Sequence, residues 1–216
     1  VNTFNALEAV GIAVVFSAGN SGSGASTITK PKNINTSLVN SWATAAIDGP
    51  TYLAGSNDPI TSFSSRGPSI CGGTGSLLIK PEAAAPGNNV RSSVIGGGYS
   101  SFSGTSMAAP HVVGAIALLR QFAPNLTGLQ IKLALYNTAK DLGTPGEDNT
   151  YGMGLIDVYA AFLSLGTPDI YPPDPIVDLS ANDVTSNDLS LMWTVPYDSS
   201  MGGISGYDVR WSSTMI

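Results

Sequence analysis

The sequence predicts an α/β domain, a parallel sheet flanked by helices, followed by a short all-β sandwich segment. Three observations predict it. Apolar positions Phe4, Leu7 and Val10 share a helical face, Gly11 follows as a left-handed stop, and residues 12–16 form an uninterrupted apolar, largely β-branched run. A helix, a glycine and a fully apolar strand are the order expected of a parallel sheet covered on both faces. A second, strongly apolar helical stretch follows Gly104-Thr105-Ser106, and beyond a proline-dense segment the apolar period changes from helical to two.

The totals bound the function classes. With 216 residues, 43% of them hydrophobic, the chain has ample material for a core. Only 11% are charged, and the formal net charge is −6. No basic stripe is present to neutralise phosphates, so nucleic acid is not an expected partner. Cys71 is the single cysteine, which excludes an intrachain disulfide. The longest apolar stretch, residues 107–119, is too short to span a bilayer and is expected to be a core helix.

In order along the chain, a helix over residues 3–10 leads through Gly11 to the strand at 12–16. Ser17-Ala18-Gly19-Asn20 then makes a small-residue turn at a carboxyl strand end, where open α/β sheets place their sites. Residues 43–48 read as a short buried strand with Trp42 packed nearby, and Arg66-Gly67-Pro68 as a turn. Glu82, with Lys80 two residues before it, reads as a satisfied structural carboxylate rather than a metal ligand. Residues 90–94 read as a strand, and 96–103 as a flexible approach to Ser106.

The helix after Ser106 is apolar on nearly every face, so it is expected to run through the interior, with distorted geometry before Pro110. Thr127-Gly128-Leu129-Gln130 is a capping-box pattern opening another helix, and a last short helix ends near Leu165. Residues 166–176 form a proline-rich linker. Beyond it Leu189, Leu191 and Trp193, and then Tyr207, Val209 and Trp211, alternate with polar residues as strands do.

Ser106 is the candidate nucleophile, since the first turn of a helix offers unpaired N–H groups and a positive dipole end to an anionic intermediate. Ser and Thr are also ordinary N-cap residues, so the tripeptide alone does not decide the matter. A serine hydroxyl needs a base. The one histidine, His111, lies five residues on, about 140° around the helix, and is expected to face the core or a neighbouring strand. Nothing after Ser106 supplies another, which excludes the Ser-acid-His order of α/β-hydrolases.

The eleven-residue string Gly104-Thr105-Ser106-Met107-Ala108-Ala109-Pro110-His111-Val112-Val113-Gly114 resembles the nucleophile signature of the subtilisin-like serine proteases. Val14-Val15-Phe16-Ser17-Ala18-Gly19-Asn20, Ser62-Phe63-Ser64-Ser65-Arg66-Gly67-Pro68 and Tyr151-Gly152-Met153-Gly154-Leu155-Ile156-Asp157 resemble further segments of that family. The run Ala85-Pro86-Gly87-Asn88-Asn89-Val90-Arg91-Ser92-Ser93 is similar to the bacillopeptidase F type, and the stretch from Pro175 to the start of a fibronectin type III domain.

The resemblance implies a subtilisin-like fold over residues 1–165, the carboxyl half of a catalytic domain, and a truncated fibronectin-like domain over 177–216. It implies an endopeptidase acting through an acyl-enzyme on Ser106, with Asn20 in the oxyanion hole, Ser17, Ala18 and Gly19 along one wall of the substrate pocket, and Thr105 assisting. His111 is then the signature's structural histidine, and the catalytic Asp and His are expected upstream of residue 1. No cofactor is implied for the chemistry, structural calcium is expected only of the intact protein, and its partners are protein or peptide substrates. A secreted or cell-surface monomer fits this reading. The competing one is a subtilisin-like binding or structural module that has lost its triad.

Overall fold

The computed structural model describes residues 2–166, 174–182, 188–196, 207 and 209. The chain forms two compact units, Val1–Leu165 and Gly166–Ile216.

Helix α1 (Asn2–Ala9) ends as the glycine predicts, with Gly11 at φ 86° and its N–H on the Glu8 carbonyl. Phe4 meets Phe16 edge to face, ring centroids 5.2 Å apart. Strand β1 (Val15–Ser17) is shorter than the apolar run and only half-buried. The cause lies at Val14, whose N–H donates to Glu8 Oε1 at 2.8 Å and whose carbonyl accepts from Lys132 Nζ at 3.3 Å. Side chains have taken the groups a longer ladder would need.

Strand β2 (Trp42–Ile47) is wholly buried, and Trp42 is its first residue rather than a neighbour of it. It pairs in parallel with β1 and with β3 (Ala83–Pro86), giving the order β1-β2-β3. The strand period divides the core. Trp42, Ala46, Ala83 and Ala85 pack in one cluster, while Ala45, Ile47 and Ala84 pack with Leu142 and Tyr151 in another.

Behind β3 lies a buried ion pair, Lys80 with Glu82. Glu82 also accepts from the Ala43 N–H at 2.6 Å, and Lys80 donates to the Ser41 carbonyl at 2.7 Å. Burial pushes the lysine down and the carboxyl up from their ordinary values, and each charge opposes the shift of the other. The structural reading of Glu82 holds, because its oxygens are already in use. Glu82→Ala is expected to destabilise the unit by about 3 kcal/mol, since it strands a buried ammonium. Urea unfolding checks this, and a loss below about 1 kcal/mol would show that Lys80 finds another partner.

Strands β4 (Val90–Ser93) and β5 (Tyr99–Phe102) form an antiparallel hairpin. This corrects the expectation of a flexible approach over 96–103. Gly96, Gly97 and Gly98 all adopt left-handed φ, which turns the chain tightly enough for Tyr99 to pair with Ser93.

Helix α2 (Gly49–Leu53) is capped by Asp48, and α3 (Thr105–Phe122) packs on the sheet through Ala108, Val112, Ala115, Ile116 and Leu119. Two expectations for α3 need correction. Its other face is open among the described residues, Val113 being 52% and Leu118 62% exposed. The sheet covers one side of a helix that is apolar all round. The helix also runs unbroken through Pro110, where a distorted entry was expected.

Helix α4 (Gly128–Asn137) opens with the predicted capping box, Thr127 and Gln130 satisfying each other's backbone N–H groups. Asp157 caps α5 (Val158–Ser164). On α4 the Lys132 ammonium is buried against Glu8 and the Val39 carbonyl, tying α4 to α1.

Two phenols link the outer loops. Tyr151 donates to Asp58 and accepts from the Ile60 N–H at 2.9 Å, and Tyr136 donates to Glu147. Burial first, then the carboxylate partner, pushes both phenols well above their ordinary value. The folded chain therefore keeps protons that the unfolded chain releases above about pH 10. Their contribution to stability is full below that value and is lost as pH rises beyond it. Urea midpoints compared on either side of about pH 10 are expected to fall less in a Tyr136→Phe, Tyr151→Phe double variant than in the wild type.

In the second unit β6 (Ser180–Asn182) pairs antiparallel with β7 (Ser190–Met192). Of the period-two pattern at 189–194, residues 190–192 fall on this strand. Trp193 and Tyr207 meet with ring centroids 5.0 Å apart. Of the strand expected at 207–211 only Tyr207 and Val209 are described, and residues 167–173 of the linker lie outside the described residues.

Candidate active site

Ser106 is the second residue of α3 and is exposed. Its backbone N–H and its hydroxyl have no hydrogen-bond partner among the described residues. Around it the loop is held closely. The Gly104 N–H donates to the Gly87 carbonyl at 2.8 Å, and the Met107 N–H to the Gly104 carbonyl at 2.9 Å. A Cβ on Gly87 would lie 2.5 Å from Ala46 Cβ and 2.9 Å from the Gly104 oxygen, so only glycine permits this approach.

Asn20 comes to the same place from the end of β1. The Thr105 N–H and the Thr105 hydroxyl both donate to Asn20 Oδ1, each at 2.9 Å, and Thr105 Oγ1 accepts from the Gly19 N–H at 3.0 Å. Two donors on one oxygen fix the sense of the amide. The Asn20 NH2 has no acceptor among the described residues, and a Cβ on Gly104 would stand 3.2 Å from Nδ2. Gly104 keeps that side open.

Gly19 is in the left-handed region at φ 112°. Its carbonyl accepts from the Ser65 N–H at 2.9 Å, and Ser65 Oγ accepts from the Ser21 N–H at 3.0 Å. Ala18 continues the ladder through its N–H to the Thr44 carbonyl, but its methyl is buried with Ile28 and Ala43. Ser17 is half-buried opposite Thr44. Ala18 is thus fully buried, and of this segment only Ser17 and Gly19 keep part of their surface exposed.

The structure brings together Gly19, Asn20, Thr105 and Ser106. It does not bring His111 into that group. His111 is exposed rather than turned to the core, its Nδ1 2.9 Å from the Met107 carbonyl, because it lies off the buried stripe of α3. Sequence reasoning assigned no role to Ser65, whose N–H holds the Gly19 carbonyl, because no period or motif encodes a contact between residues so far apart in the chain. Clefts of about 350, 400 and 360 Å³ elsewhere on the unit include none of Asn20, Thr105 or Ser106. Among the described residues no three His, Cys, Asp or Glu side chains gather as a set of cation ligands. No helix among them is long and apolar enough to cross a membrane.

The sequence profile of the subtilase family (Peptidase_S8) matches residues 1–154. The chain belongs to the subtilase family. It is 38% identical over 157 residues to Subtilisin BL of Lederbergia lenta, covering 73% of this chain and 48% of that protein. It is 34% identical over 161 residues to the serine protease AprX of Bacillus subtilis, covering 68% of this chain and 34% of that protein. Among solved structures, sphericase superposes with a TM-score of 0.62 at 28% identity, over 73% of this chain and 51% of its own. This subtilase chain thus spans about half the length of such relatives, or less. Subtilases need no cofactor for their chemistry.

Proposed function

We propose that this chain is part of a secreted serine endopeptidase that cleaves proteins through an acyl-enzyme on Ser106. One observation carries the reading. The Asn20 amide is held by Thr105, and its unpaired NH2 and the unpaired Ser106 N–H both stand beside Gly104, where a Cβ would lie 3.2 and 3.7 Å from them. Two free donors at a helix N-terminus suit an oxyanion and have no role in the fold.

In the proposed reaction Ser106 Oγ attacks the scissile carbonyl carbon and its proton passes to a histidine base. The carbonyl oxygen becomes an oxyanion accepting from Asn20 Nδ2 and the Ser106 N–H. Collapse breaks the C–N bond, the amine leaves with that proton, and water then hydrolyses the ester by the same steps. Ser17 and Gly19, with Ala18 buried between them, form one wall for the residue before the cleaved bond.

His111 is occupied on Met107 and off the site, so the proposal places the base and its aspartate in protein outside this chain. Structural calcium, a bacillopeptidase F-type subgroup and a fibronectin type III identity for the second unit belong to the same proposal. The position of His111, the one histidine of the sequence, off the site is what favours the alternative, a binding or structural module without catalysis. A fluorophosphonate probe separates the two. Labelling of Ser106 in the intact protein, with the isolated chain close to background, is expected. An unlabelled intact protein would favour the module, and brisk labelling of the isolated chain would show that the base has been misplaced.

A further inference from the structure

We propose that Asn88 is a positioning residue for the nucleophile loop, linking Ser103 to the Asp48 carboxylate so that Ser106 keeps its register with Asn20. This rests on the serine-protease reading above.

The link is a continuous set of hydrogen bonds. Asn88 Nδ2 donates to Asp48 Oδ1 at 3.0 Å, and the Ser103 hydroxyl donates to Asn88 Oδ1 at 2.8 Å. Ser103 Oγ in turn accepts from the Asn89 N–H at 2.8 Å, Asn89 adopting a left-handed φ of 52°. Asp48 directly follows β2, its N–H on the Pro59 carbonyl at 2.8 Å, and its second oxygen caps α2 through Thr51. The carboxylate therefore belongs to the rigid end of the central strand.

Three adjacent strand ends, those of β1, β2 and β3, thus hold three consecutive residues. From β1, Gly19 and Asn20 grip Thr105, and from β2, Asp48 reaches Ser103 through Asn88. Gly104 lies between them, bonded to Gly87. The amide at position 88 donates in one direction and accepts in the other. Aspartate lacks the donor and leucine lacks both groups. Ser103 is exposed and buries little apolar surface, so the link adds orientation more than core stability.

The test uses the intact protein with active sites counted by fluorophosphonate titration. Asn88→Ala and Ser103→Ala are each expected to lower kcat per titrated site about tenfold with KM within about twofold, as displacements below 1 Å do. The double variant is expected to fall no further, because one link is broken either way. Hydrogen exchange over residues 103–107 is expected to quicken about tenfold in both variants. Unchanged kcat per site with a lowered melting temperature would overturn the proposal, as would additive losses in the double variant. Should the wild-type protein take no label, the function reading fails, and exchange over 103–107 still decides: unchanged rates in Asn88→Ala overturn the link by themselves.

Discussion

Ser106→Ala is expected to reduce peptide hydrolysis by the intact protein about a millionfold, a scale that belongs to subtilisin itself and is carried over with the proposed mechanism. The expectation pairs a large kinetic effect with a small structural one. Ser106 is exposed and its hydroxyl has no partner among the described residues, so its removal leaves the Thr105–Asn20 and Gly104–Gly87 bonds in place. Stability is expected to change by less than about 0.5 kcal/mol, as for other exposed substitutions free of special contacts. Turnover of a chromogenic peptide and urea unfolding measured on one preparation check both halves. Activity above about 1% of wild type would remove Ser106 from the role of nucleophile, whereas joint loss of activity and fold would mean that the hydroxyl has a structural partner.

The candidate site was legible because its parts are written locally. Asn20 stands in a small-residue turn directly after a strand, and Ser106 at the start of a long apolar helix, and the structure places both where those patterns put them. The capping box at Thr127 and Gln130 was equally local. What escaped depends on residues distant in sequence. Strand β1 begins late because Glu8 and Lys132, 124 residues apart, converge on Val14. The hydroxyl of Thr105 matters because it meets Asn20 across 85 residues, and no period or motif encodes that meeting. For His111 the helical angle was right but the conclusion was not, since an angle away from Ser106 does not say which face the sheet covers. Nor does an all-apolar helix reveal which of its faces finds a partner.

Asn20 separates donation from positioning, because its two amide ends do different things. Asn20→Ala removes both and is expected to lower kcat about 10²–10³-fold with KM little changed, a range measured for the corresponding donor in subtilisin. Asn20→Asp keeps an oxygen for the Thr105 N–H and hydroxyl, now 2.9 Å from Oδ1, and removes only the NH2. If donation to the oxyanion is the function, the aspartate variant loses at least as much kcat as the alanine variant, since a carboxylate there also repels the developing charge. Thr105→Val is the converse case, leaving the NH2 but removing the hydroxyl that orients it, and is expected to lose only about tenfold. Steady-state kinetics of the three variants order the effects. An aspartate variant near wild-type activity would show that Asn20 serves Thr105 alone, and the oxyanion would then need a donor other than this amide.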